Sequence, residues 1–117
     1  MILSKEDILD FLRKNRDYLK QNFEVTSISL FGSFARGEQS EESDIDFIVE
    51  FDGLDYSKMV ALAVFLEDEF GKRVDIINKK NITRKSLIRR SKTEAIYAWY
   101  YTRRSGIYLR FNWHYRE

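Results

Sequence analysis

Gly32-Ser33-Phe34-Ala35-Arg36-Gly37-Glu38-Gln39-Ser40-Glu41-Glu42-Ser43-Asp44-Ile45-Asp46 runs straight into Phe47-Ile48-Val49-Glu50-Phe51. The second half reads as a strand from Asp44 to Phe51, because Ile45, Phe47, Val49 and Phe51 alternate with Asp44, Asp46, Ile48 and Glu50. One face is wholly apolar and must be buried. Asp44 and Asp46 then share the other face, since side chains two apart on a strand point the same way. The first half is a Gly-Ser turn, a short helical turn through Phe34–Gly37, and a polar loop over 38–43.

Upstream, Val25 to Phe31 is short and rich in β-branched residues, a second strand with Thr26, Ile28 and Leu30 on one face. Before it, Ser4 and Asp7 resemble a capping box, and Ile8, Phe11, Leu12, Tyr18 and Leu19 recur at helical spacing. That pattern predicts one amphipathic helix over 5–22. Downstream, Asp52-Gly53 marks a turn and residues 56–70 are helical through Met59, Val60, Ala63, Leu66 and Phe70. Gly71 suits the helix C-terminus. Arg73 to Asn78 predicts a third strand carrying Asp75 among Val74, Ile76 and Ile77, and Thr83 is placed to cap a basic helix to about Lys92. In the tail, Ala95–Tyr101, a turn at Arg104-Ser105-Gly106 and the alternation of Ile107, Leu109, Phe111 and Trp113 predict a β-hairpin. The fold class is α+β, a small mixed sheet flanked by helices, with an aromatic and basic C-terminal extension.

A chain of 117 residues makes one domain. The absence of cysteine excludes disulfides, thiolate metal sites and a cysteine nucleophile. The longest apolar run, Met59 to Leu66, is too short to cross a bilayer. Lys5, Glu6 and Asp7 stand where a signal peptide needs apolar residues, so a cytoplasmic location with no membrane contact is expected. Net charge is +1, but residues 1–78 carry 9 Lys/Arg against 17 Asp/Glu, and residues 79–117 carry 11 against 2. Two readings stand: neutralisation of the halves within one fold, or a basic surface for nucleic acid or an acidic partner.

The chemistry follows from the carboxylates. Two of them on one strand face repel and raise each other's proton affinity unless a cation lies between them. Mg²⁺ fits, since it takes a few carboxylate oxygens and fills its other positions with water and phosphate. Asp75, on a strand among apolar residues, is a candidate to complete a set of three able to hold two ions about 3.5–4 Å apart, the spacing used in phosphoryl and nucleotidyl transfer. Gly32 lets backbone approach a phosphate closely, and the Ser33 hydroxyl can bond a β- or γ-phosphate. Arg36 is a candidate phosphate contact, with a solvated arginine the alternative. A P-loop is absent. His114, the one histidine, has no serine or cysteine companion at a recognisable spacing for a triad.

Gly32-Ser33-x10-Asp44-x-Asp46, followed by Asp75 in Val-Asp-Ile-Ile, resembles the DNA polymerase beta-type nucleotidyltransferase superfamily, and within it the minimal nucleotidyltransferases, the MntA-like antitoxins. The resemblance covers residues 5–97. It implies Asp44, Asp46 and Asp75 as Mg²⁺ ligands and catalytic residues, with Asp75 as base, and Gly32 and Ser33 as the triphosphate site. It also implies ATP as substrate, a helical HEPN-type RNase toxin as partner, and AMP transfer to a toxin tyrosine, in a homo- or hetero-oligomer. The family domain should end near Tyr97–Tyr101, leaving 1–101 as the nucleotidyltransferase domain and 102–117 as a hairpin arm continuous with it. Two alternatives remain: an antitoxin that acts by binding alone, and a nucleotidyltransferase for RNA or a small molecule, the latter resting on the aromatic, basic tail.

Overall fold

The computed structural model describes residues 3–53, 55–102 and 107–109. The elements are α1 (Lys5–Lys14), α2 (Arg16–Phe23), β1 (Val25–Phe31), α3 (Gly32–Arg36), β2 (Ile45–Phe51), α4 (Tyr56–Phe70), β3 (Val74–Asn78), a 3-10 turn (Lys79–Asn81), α5 (Lys85–Glu94), β4 (Ile96–Thr102) and β5 (Ile107–Leu109). The sheet order is β3-β2-β1-β4-β5. It is mixed, with β2 and β3 parallel and every other neighbour pair antiparallel.

The apolar face of β2 behaves as its alternation requires. Ile45, Phe47, Val49 and Phe51 are buried with Leu62 and Leu66 of α4 and Ile8, Leu12 and Leu19 of α1 and α2. The opposite face is not entirely polar. Ile48 joins Phe31 and Ala95 in a second small cluster, with Ile77, Ile82 and Leu87 against it, so α5 and the segment before it cover part of that side. Helices therefore lie on both faces, leaving the Asp46 end of the second face open.

Three local expectations need correction. Residues 5–22 form two helices, because Asn15 leaves helical geometry (φ −110°, ψ 19°). At that break Phe11 O accepts from both the backbone N–H (3.1 Å) and Nδ2 (2.8 Å) of Asn15, and Trp99 Nε1 donates to Leu12 O (3.0 Å). The Arg13 side chain in turn reaches the carbonyls of Tyr97 and Ala98. Thr26 does not hold the core position on β1. A register shift between Val25 and Ser27 puts Val25 in the core, and the Thr26 hydroxyl donates to Glu50 O (3.1 Å). Finally, Arg84 rather than Thr83 is the N-cap of α5, without a side-chain cap bond.

The capping box at Ser4 and Asp7 and the left-handed Gly71 closing α4 are as read from the sequence. The expected tail strands extend the sheet beyond β1, with β5 at its edge. β4 pairs with β1, and Ala98 and Trp99 are both fully buried. Adjacent strand residues normally face opposite ways; here a register shift between Ile28 and Ser29 bulges β4 and turns Trp99 inward. β5 pairs antiparallel with β4, while the expected turn at 104–106 and positions Phe111 and Trp113 lie outside the described residues. Among the described residues no helix is long and apolar enough to cross a membrane.

Candidate active site

The loop between α3 and β2 is held from within and from outside. Gly37 closes α3 in the left-handed region (φ 72°), and Glu38 N–H donates to Ser33 O (2.9 Å), the closing pattern of a short helix. Ser40 N–H donates to Ser43 Oγ (2.8 Å), and Ser43 N–H returns to Ser40 O (3.1 Å). Lys72, after α4, donates to Glu41 O (2.6 Å). Ile45 N–H donates to Arg73 O, which starts the parallel pairing with β3. Asp44 is thus delivered at the mouth of β2.

Strand register then decides the site. Asp46 lies between two neighbours: Phe31 across the antiparallel pair with β1, and Asp75 across the parallel pair with β3. Because Gly32 follows Phe31, its backbone stands against the Asp46 carboxylate. A β-carbon at Gly32 would meet Asp46 Cγ at 3.1 Å and Oδ2 closer still, and Gly32 has φ 73°. Only glycine fits here.

Gly32, Ser33, Arg36, Asp44, Asp46 and Asp75 all line one open cleft of about 430 Å³, together with Phe31, Ser43, Ile77 and Arg90. All six candidates from the sequence are brought together. Arg90 was not foreseen: in an Arg89-Arg90 pair on a basic helix, nothing in the sequence separates it from a solvated face. Asp46 holds its proton more tightly than an ordinary aspartate, first through burial, then through the charges of Asp75 and Asp44 and a hydrogen bond with Asp75. Arg36 opposes this weakly. Arg36 is itself engaged, with Nε 3.0 Å from Glu38 and Nη1 3.1 Å from Glu94.

Among the described residues no three acidic or histidine side chains form a ready-made metal cage. The donor set still suits Mg²⁺, which is bound through one or two carboxylates with substrate phosphate supplying the rest. Asp46 and Asp75 supply such a pair, and their mutual repulsion is what a divalent cation relieves.

The Nucleotidyltransferase domain family matches this chain over residues 12–98. The chain belongs to that family. The match takes in every residue of the cleft and all of the sheet except its last strand and the end of β4. A Methanocaldococcus jannaschii protein named a putative protein adenylyltransferase is 51% identical over 79 residues, covering 65% of this chain and 79% of the relative. The protein adenylyltransferase MntA of Thermococcus cleftensis is 35% identical over 82 residues, covering 69% of this chain and 83% of its own length. Among solved structures, a toxin-antitoxin crystal structure with AMP-PNP is similar at a TM-score of 0.62 and 25% identity, over 80% of this chain and 77% of that one. This nucleotidyltransferase thus has the fold expected from its Gly-Ser and Asp-x-Asp stretch.

Proposed function

We propose that this nucleotidyltransferase is a Mg²⁺-dependent protein adenylyltransferase, the antitoxin of a HEPN-type RNase toxin, and that it moves AMP from ATP to a toxin tyrosine. The observation that carries the reading is the register of Asp46 beside Asp75, in one cleft with Asp44 and the Gly32-Ser33 turn. The adenylyltransferase relatives and the toxin-antitoxin neighbour support the acceptor's being a protein. The cytoplasm, where ATP and RNA are at hand, is the matching location.

In this reading Asp44, Asp46 and Asp75 hold the metal, with two ions the expected number. When bound, Mg²⁺ supplies neutralisation of the triphosphate and a lower proton affinity at the acceptor hydroxyl. Gly32 lets the phosphates approach the backbone, and the Ser33 hydroxyl donates a hydrogen bond to them. The acceptor oxygen attacks the α-phosphorus in line, its proton passes to Asp75, and the bond to the β-phosphate oxygen breaks to release pyrophosphate. Positioning and charge compensation supply most of the rate.

The test is incubation with ATP and Mg²⁺, with and without the protein encoded next to it, read by intact mass. A gain of one or more AMP units on that protein, lost with Asp44→Asn/Asp46→Asn, supports the reading. If ATP binds and no mass is gained, the acceptor is RNA or a small molecule, or inhibition is by contact alone.

A further inference from the structure

Arg90 lines the same cleft as the three aspartates, although it comes from α5, which faces the sheet from the other side of the opening. Its guanidinium carbon lies 5.4 Å from the centre of the Phe31 ring. Phe31 is also the strand partner of Asp46 and the residue before Gly32. This contact places Arg90 beside the piece of backbone that leads into the Gly32 turn.

The electrostatics call for a cation there. Three carboxylates and a polyphosphate leave the cleft strongly negative even with two divalent ions in place. Among the described residues two positive side chains line it, Arg36 and Arg90. Arg36 is held at 3.0 and 3.1 Å by Glu38 and Glu94. Arg90 makes a longer 3.6 Å contact with the same Glu94, and its side chain is 53% exposed against 34% for Arg36. Arg90 can therefore turn toward a ligand at lower cost. A guanidinium also offers paired N–H donors that match phosphate oxygens.

We infer that Arg90 is a nucleotide-binding residue of this nucleotidyltransferase and contacts the β- and γ-phosphates of ATP. The α-phosphorus has to lie at the aspartates to be attacked, which leaves the outer phosphates, where the leaving-group charge develops, for the cation. Glu94 then acts as a positioning residue. It holds Arg36 and Arg90 at the rim on one carboxylate. This inference rests on the proposed use of ATP.

Binding of ATP and of AMP, each with Mg²⁺, is measured by calorimetry on the wild type, Arg90→Gln and Arg90→Lys. Loss of one charge-assisted phosphate contact should weaken ATP binding about tenfold or more in Arg90→Gln. AMP, which has no outer phosphates, should bind within about twofold of wild type. Arg90→Lys, which keeps the charge without the paired donors, should fall between. The thermal midpoint should stay near wild type, because Arg90 is half exposed. Unchanged ATP binding in Arg90→Gln, or an equal loss for ATP and AMP, overturns the inference. A wild type that binds no ATP overturns the proposed function with it.

Discussion

Gly32 and Asp46 compete for one volume: a single β-carbon on Gly32 would stand 3.1 Å from Asp46 Cγ, with the carboxylate oxygen nearer still. The turn proposed to approach phosphate and the carboxylate proposed to hold the metal are therefore parts of one packed unit. A side chain at Gly32 cannot be added without moving that carboxylate.

Gly32→Ala should lose both stability and transfer. Its φ of 73° costs a residue with a side chain about 1–2 kcal/mol, and the added carbon must displace the Asp46 carboxylate from its place beside Asp75. Thermal denaturation should show a lower midpoint, and AMP transfer should fall further than the fraction unfolded explains. By contrast Gly37, also at positive φ, has open space around its Cβ direction. Gly37→Ala should destabilise by a similar backbone cost and leave transfer by the folded fraction intact.

Asp46 gives a prediction with a definite pH sign. Its affinity for a proton is raised in the folded state, through burial first and the neighbouring carboxylates next, so the unfolded chain ionises more easily. Folding then loses stability as pH rises from the ordinary aspartate value of 3.8 through the higher folded value. At neutral pH the ionised Asp46 is a burden that asparagine does not carry. Metal-free Asp46→Asn should melt above wild type at pH 7, with the gap closing below about pH 4. A lower midpoint for the variant at pH 7 would show that its carboxylate stabilises the empty fold instead.

Those features were readable because each rests on local pattern. The alternation of Ile45, Phe47, Val49 and Phe51 fixed which way Asp44 and Asp46 face, and the capping box and Gly71 marked helix ends without any tertiary knowledge. What was not readable depends on partners distant in the chain. The break at Asn15 is supported by Trp99 and Arg13, across more than eighty residues. The bulge that turns Trp99 inward breaks the period-2 rule on which a strand reading depends. Arg90 belongs to the cleft only because α5 folds back over β1, beside Phe31.

That long-range support can be measured. Trp99 is fully buried and its indole nitrogen donates to Leu12 O at 3.0 Å. Trp99→Phe removes the donor and leaves a void where the second ring was. A buried carbonyl without its partner and the cavity together should cost about 2–4 kcal/mol. Urea denaturation should show a lower midpoint with an unchanged slope. The adenylyltransferase chemistry of the molecules still folded should persist, since Trp99 lies in the α1-facing core and the cleft opens on the other side.

Asp75 separates two roles that a metal ligand and a base would otherwise share. Asp75→Asn keeps size and the capacity to hydrogen-bond Asp46, but cannot accept the acceptor's proton. If Asp75 is the base, kcat should drop by about 10²–10⁴-fold. Mg²⁺-dependent ATP binding should also weaken, as one of three metal carboxylates is lost, but by less than the fall in kcat, because Asp44 and Asp46 remain. Asp44→Asn should invert the balance, weakening Mg²⁺-dependent ATP binding first. Single-turnover transfer at saturating ATP, set beside calorimetric affinities, distinguishes the two. Single-turnover transfer by Asp75→Asn at saturating ATP that falls no further than in Asp44→Asn would make Asp75 a ligand without a proton-accepting role, and the acceptor's proton would then have to leave by another group in the cleft or to solvent.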